Sequence, residues 1–403
     1  MPGMFQVVLV YGVIDDSLHI TFVIAYCHET FKNWRAGHDT FHLCGYWPSP
    51  VSKVCYDGGL IQKKAWHRTV NNTSDGRPAT SSQSAWSHYW RRGHLHSCPG
   101  AFQGNYEDSI REFWHSTFKE LGEHSRVLDI GTGNGAIARL ALDFAASRSF
   151  SWQIEGIDAA DIQSADTPIN SGQCKLTLRG NQSSEHLDHA DDSVNLVTSQ
   201  YAIEYTRVDL SLAQVARVLV PGGIAAFIVH HTDANIVTVS RNELAFFDYF
   251  YQQLNLFGDS RELIQHFDKS GLISSPWLIA SDPKAQEMMQ RIQHQLSSIT
   301  DFSHTHPHCG FARDIGTQFA TTLNAIPQAG RANTDHVLQV LEQEMAAHAA
   351  RIQANIDAAH DEQAISKLVQ MAAQSGLENL FYSPLHRSSG ELLGWALRFR
   401  RAV

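Results

Sequence analysis

The densest chemistry in the chain lies between Val127 and Ala138. There Asp129 ends an apolar run, Gly131, Gly133 and Gly135 follow at alternate positions, and an apolar helical spacing begins. Glycine is needed in such a turn because the backbone must reach positive φ and approach a ligand with no Cβ in the way. The helix that follows presents unpaired N–H groups, and the turn sits at the carboxyl end of a strand, where open α/β sheets bind ligands. The glycines do not fall at the G-x-G-x-x-G spacing of a dinucleotide turn. Asp129 would repel a phosphate and suits a cationic ligand or one with a free amine. Thr132 and Asn134 fill the remaining turn positions and are further candidates to contact the ligand.

A second acid follows at a matching place. Trp152 to Asp158 reads as the next strand, and Asp158, with Ala159 beside it, closes that strand as Asp129 closes the first. One carboxylate can accept both hydrogens of a ribose diol, so Asp158 is the candidate for the sugar of a nucleoside. Glu204 stands after a later strand-like segment, and His230 and His231 end the strand that begins at Ile224. Either Glu204 or His230 could take a proton from an acceptor, since imidazole titrates near neutral pH.

Asp129-Ile130-Gly131-Thr132-Gly133-Asn134-Gly135 resembles motif I of the class I S-adenosylmethionine-dependent methyltransferases. The resemblance implies that the glycine backbone lies against the methionine portion of the cofactor, with Asp129 near its amino group. Further segments follow in the family's order: Lys175 to Asn181, Leu187 to Tyr201, and Leu212 to Gly223 with Pro221-Gly222-Gly223 leading into a strand. It implies adenine contacts at Asn181 or Gln182, and it brings Ser199, Gln200, Glu204 and Tyr205 to the mouth of the site. Departures at Asp188, His189, Val194 and Asn195 mark a diverged member. An N-terminal helical segment closes over the cofactor in many such enzymes, which makes Tyr89 and Trp90 candidates to shield the reactive sulfonium.

Composition bounds the rest. The chain has 403 residues, 43% of them hydrophobic, and a formal charge of −10. That charge, with no Lys/Arg run, argues against nucleic acid as partner. Six scattered cysteines without a C-x-x-C pair fit a reducing, cytoplasmic setting. The apolar stretches before Tyr26 are broken by Asp15, Asp16 and His19, so no membrane span is expected. The histidines and cysteine of 304–309 match no structural-metal spacing, and no metal site is assigned.

The expected fold is α/β, a Rossmann-like doubly wound sheet, mostly parallel with an antiparallel final strand, plus an inserted, mainly helical cap. Residues 1–84 read as an N-terminal extension, 85–231 as the first part of the cofactor-binding core, 232–360 as the cap over the substrate site, and 361–403 as its closing helix and strands. Apolar residues recur at helical spacing in 242–257, 284–299, 311–326 and 335–359, the last with Val337, Leu338, Leu341, Met345 and Ile352 on one stripe. The aromatic run Phe246, Phe247, Tyr249, Phe250 and Tyr251 is expected to line an apolar pocket. The function expected is S-adenosylmethionine-dependent O- or N-methylation of a small-molecule acceptor, aromatic or hydrophobic, held under the cap. A nicotinamide-dependent oxidoreductase and a catalytically silent cofactor-binding interaction protein are the alternatives.

Overall fold

The computed structural model describes residues 13–14, 17–18, 82–98, 102, 104–163, 168–306 and 309–403. The expected extension, 1–84, therefore lies outside the described residues except for three helical positions and a two-stranded antiparallel pair, β1 (Val13–Ile14) with β2 (Ser17–Leu18).

From Ser82 onward the elements are α1 (Ser82–Trp90), α2 (Asp108–Phe118), β3 (Arg126–Ile130), α3 (Ala136–Ala146), β4 (Gln153–Ile157), β5 (Ile169–Ser171), β6 (Cys174–Arg179), β7 (Val194–Gln200), α4 (Val208–Val218) and β8 (Leu219–Val229). Five helices come next: α5 (Asn235–Gln253), α6 (Leu256–Lys269), α7 (Pro283–Thr305), α8 (Gly310–Asn324) and α9 (Ile326–Ala358). The chain closes with α10 (Glu362–Gln374), β9 (Leu377–His386) and β10 (Leu392–Arg401).

The eight strands β3 to β10 form one sheet in the order β5-β6-β4-β3-β7-β8-β10-β9. The five central strands β6, β4, β3, β7 and β8 are parallel neighbours. Both faces of the sheet are covered, which is why β3 and β7 are buried at nearly every position rather than at alternate ones. One face packs under α1, α2 and α3 with Trp114, Phe118, Phe144 and Trp152, and the other under α4 and α10 with Leu212, Val215, Ile365 and Leu368. The expected antiparallel closure is present as β10 against β8 and β9. A further antiparallel strand, β5 on β6, edges the opposite side.

After β3 the chain moves outward through β4 to β6, then returns to pair β7 on the other flank of β3. That reversal opens a crevice at the carboxyl ends of β3 and β7, where the strand-end acid Asp129 stands.

Helices α5 to α9 bury an apolar cluster of their own. Phe246, Phe247 and Phe250 belong to it and are completely enclosed. The expectation that this aromatic run lines a pocket is thus corrected: the rings meet Phe302, Phe311, Phe257 and Phe319 across the bundle. Val337, placed on the buried stripe of α9, is exposed, while Leu338, Leu341, Met345 and Ile352 are buried. Truncating Phe246 to alanine should cost about 3–5 kcal/mol, as for other enclosed aromatics. Denaturant unfolding of that variant is the check. Among the described residues no helix is long and apolar enough to cross a membrane.

Candidate active site

A cavity of ≈ 250 Å³ opens at the carboxyl ends of β3, β4 and β7. Asp129, Gly131, Thr132, Asp158, Ala159, Gln182 and Gln200 of the sequence-derived set line it. The wall also holds Trp86, Trp90, Leu95, His96, Tyr106, Tyr201 and Tyr205. Its floor is acidic and its walls are aromatic.

The two acids are held by their surroundings. Asp129 is buried and accepts hydrogen bonds from the hydroxyls of Thr132 and Thr198, each at 2.7 Å. Asp158 accepts from the backbone N–H groups of Gly133 and Ala160, each at 2.8 Å. Those bonds favour the carboxylates, but the loss of water outweighs them, and burial pushes both acids up to about 6. Two carboxylates that ionise reluctantly at the base of a cavity suit a ligand that supplies a cation or hydroxyl hydrogens.

The glycine turn joins the two strand ends. Gly131 takes φ +65°, and a Cβ there would overlap the Cβ of Ala202. Gly133 takes φ +53°, and its Cβ would meet the Trp90 ring at 2.6 Å. Gly135, at φ +88°, ends the turn as the cap of α3. Asn134 faces away from the cavity: its amide donates to the carbonyls of Trp90 and His94 and its oxygen accepts from the N–H of Gln163. It clamps the turn to the segment after α1, which corrects its assignment as a ligand contact.

Helix α1 supplies the roof. Trp86 and Trp90, four residues apart and so on one face, stack with centroids 5.7 Å apart and line the cavity. Tyr89 points elsewhere, its hydroxyl donating to the carbonyl of His96 at 2.9 Å and its ring lying under the Arg351 guanidinium. The aromatics of α1 that line the cavity are therefore Trp86 and Trp90 rather than Tyr89. The helical period, which puts Trp86 and Trp90 on one face and Tyr89 on another, carries this signal in the sequence.

Gln200 ends β7 with its orientation fixed, because its carbonyl oxygen accepts from the indole N–H of Trp114 at 2.6 Å. Its amide nitrogen is buried at the cavity wall without a protein partner. A donor left in that state costs free energy that a ligand oxygen or nitrogen would recover. Ser199 faces inward, accepting from the N–H of Ile203, and Asn181 shapes the β6 turn at φ +57° while Gln182 reaches the wall.

Residues 102–273 match a family described as a methyltransferase domain. The chain carries a methyltransferase domain. No curated protein matches it in sequence. Among solved structures it is similar to the YcgJ protein of Bacillus subtilis, 22% identical over 33% of this chain and 57% of that one, with a TM-score of 0.25. It is also similar to an S-adenosylmethionine-dependent methyltransferase from Mesorhizobium loti, 24% identical over 29% of this chain and 53% of that one, TM-score 0.23. A third is the 1,6-didemethyltoxoflavin-N1-methyltransferase of Burkholderia thailandensis, 9% identical over 73% and 79%, TM-score 0.34. The matched regions of the first two cover little more than half of those proteins.

Within the methyltransferase domain, Glu204 and His230 meet each other and do not line the cavity. Glu204 accepts from both the backbone N–H of His230 and its Nδ1, at 3.0 and 2.8 Å. The imidazole is sandwiched behind the wall by Tyr201 and Tyr205, with centroids 4.5 and 5.8 Å away. Direct contact of either with an acceptor, expected from their strand-end positions, is corrected to a place behind the two tyrosines. His231 stacks on Trp395. His96 does reach the cavity, but Nε2 donates to the carbonyl of Gly104 and Nδ1 accepts from the N–H of Cys98. Burial lowers its pKa, so it stands neutral with both nitrogens engaged.

The histidine-rich segment lies far from this chemistry. His304 and His306 are exposed, the latter stacked on Phe302 at 4.0 Å, and Cys309 is buried beside the bundle core. Pro307 and His308 lie outside the described residues. Among the described residues no group of three or more His, Cys, Asp or Glu side chains could hold a metal ion.

Proposed function

We propose that the protein transfers a methyl group from S-adenosylmethionine to a small-molecule acceptor, by O- or N-methylation. The observation that carries this reading is the convergence of Asp129, Asp158 and the glycine turn on one cavity roofed by stacked tryptophans. The cavity suits that cofactor on its own terms. Asp129 takes the amino group of the methionine portion, Asp158 the ribose hydroxyls, and the wall beside Gln182 the adenine. The orphaned amide N–H of Gln200 takes an acceptor atom of a ligand.

When bound, the cofactor supplies an electrophilic methyl on a sulfonium, so the protein's task is alignment and the exclusion of water. Trp86 and Trp90 cover the acidic floor, and Tyr106, Tyr201 and Tyr205 give the remaining space an aromatic wall. That wall favours an aromatic or hydrophobic acceptor. Burial holds the phenols of Tyr106, Tyr201 and Tyr205 well above their ordinary range, so they stay protonated; Tyr201 donates its hydrogen to the carbonyl of Leu393 at 3.0 Å, which leaves Tyr106 and Tyr205 to donate. The Glu204–His230 pair props the two tyrosines, and we assign it a positioning role.

The helical insertion acts as the cap in this reading, with one change. No residue of α5 to α9 is in the cavity wall, so the cap works through α1, which lies between. The free thiols of Cys98, Cys174 and Cys309 accord with a cytoplasmic setting.

Calorimetric titration with S-adenosylhomocysteine and with NAD(P) tests the cofactor. Binding of the first is expected; binding of NAD(P) alone would replace this reading with the oxidoreductase one. Incubation with labelled S-adenosylmethionine and metabolite extract, followed by mass spectrometry, identifies the acceptor. Cofactor binding with no labelled product would favour the silent interaction protein. Trp86→Ala should weaken S-adenosylhomocysteine about tenfold, the scale of one lost aromatic contact, whereas Tyr89→Phe leaves the stacked roof intact.

A further inference from the structure

The roof helix is gripped from behind by one stripe of α9. Glu344, His348 and Arg351 recur at helical spacing and so share one face, and that face meets α1. Glu344 accepts from Nε2 of His88 at 2.7 Å and pairs with Arg92, one turn further along the same side of α1's end. The Arg351 guanidinium lies 4.8 Å from the centroid of Tyr89 and 6.0 Å from that of Trp86.

Arg351 is itself oriented. Because a guanidinium only donates, its bond to Nδ1 of His348 at 2.9 Å places the imidazole hydrogen on Nε2, which donates to Glu243 of α5 at 2.8 Å. The imidazole stacks on Phe311 with centroids 4.5 Å apart, which fixes its plane. Burial lowers His348 and brings Arg351 down to about 10, so the first is neutral and the second remains charged at neutral pH.

We propose that Glu344 and Arg351, with His348 and Glu243 orienting Arg351, are positioning residues that hold α1 and its Trp86–Trp90 pair over the cavity, so that the helical bundle sets how long a ligand is retained. The cavity side of α1 has ties of its own. There Gln83 donates to the carbonyl of Ala159, Arg91 pairs with Asp161, Ser87 accepts from the N–H of Asp161, Gln163 donates to the carbonyl of Arg91, and Asn134 holds the carbonyls of Trp90 and His94. The first two of these ties are solvent-exposed and worth little each. The α9 contact adds a partly desolvated cation on two aromatic faces, a stronger class of interaction.

The identity of the retained ligand rests on the proposed function, but the grip does not. Hydrogen exchange of the full chain without ligand is therefore the primary measurement, on Arg351→Met, Arg351→Lys and Glu344→Gln. Exchange in 82–96 should rise about tenfold in Arg351→Met, less in Arg351→Lys, which keeps a cation, and about threefold in Glu344→Gln, while 126–146 stays unchanged. S-adenosylhomocysteine should then leave Arg351→Met about tenfold faster, with little change in its association rate. Unchanged exchange in 82–96 for both Arg351→Met and Glu344→Gln would overturn the proposal. So would a rise spread equally over α5 to α9, the mark of a merely structural role. If Arg351→Met does not fold, Glu344→Gln and Glu243→Gln decide on the same criterion. Failure of the wild-type chain to bind S-adenosylhomocysteine would overturn the cofactor assignment while the exchange result still judges the grip.

Discussion

Gly131→Ala will abolish measurable binding of S-adenosylhomocysteine. The backbone at this position sits at φ +65°, which costs an L-residue about 1–2 kcal/mol. The new methyl would also occupy the place of the Ala202 Cβ, whose backbone follows β7 and cannot rotate away. Relief requires either the turn or the Ala202 segment to move, and both line the cavity. Together these effects should exceed about 3 kcal/mol, a loss of more than about a hundredfold in affinity. Calorimetry reads the loss, and circular dichroism establishes that the chain still folds. Near-normal binding by Gly131→Ala would mean that the ligand lies elsewhere.

The second large effect concerns pH. Asp129 and Asp158 ionise near 6 in the folded chain instead of at their ordinary 3.8. The raised value means that the folded state favours the protonated acids. Their contribution to stability is therefore complete below the ordinary carboxylate range, is lost as pH rises from about 4 through about 6, and is constant above. For buried Asp129 the loss is about 3 kcal/mol. Asp129→Asn removes it, since the hydroxyls of Thr132 and Thr198 can turn to meet an amide. The variant should melt above the wild type at pH 7.5, and the difference should vanish near pH 4; a constant difference across that range would contradict the assignment.

Ligand binding runs the opposite way. A cationic amino group and two ribose hydroxyls prefer the ionised acids, so affinity for S-adenosylhomocysteine should fall below pH 6, by up to about tenfold per pH unit for each carboxylate. Asp129→Asn should bind weakly at every pH and show one fewer unit of slope. An acid that destabilises the empty chain and is relieved by its ligand is a common compromise at functional sites.

Much of the core was legible because its signals are local. Asp129, Gly131 and Asp158 owe their positions to strand ends and a turn, features that neighbouring residues create. The strands and helices of the core showed as apolar runs alternating with helical stripes, while the parallel centre and the closing hairpin were implied by the family resemblance. The bundle was legible as helices, yet its aromatic run was misplaced, because Phe246, Phe247 and Phe250 have the same spacing whether they face a ligand or α8. Helix α6 fell outside the expected helical segments for the most part.

The orientation of side chains divides what was read from what was not. Tyr89 and Trp90 are adjacent in sequence and about 100° apart around α1, so one rests under Arg351 and the other faces the cavity. Glu204 and His230 looked like an acid and a base at a strand end, and a contact between residues distant in sequence made them partners of each other. The sequence by itself determined two strand-ending acids and a glycine turn, because such features are local, and its family resemblance implied that they stand together at the carboxyl edge of a parallel sheet. Which rings roof that edge, which histidine is sequestered, and which arginine grips the roof were decided only by tertiary packing, because each depends on a neighbour tens to hundreds of residues away.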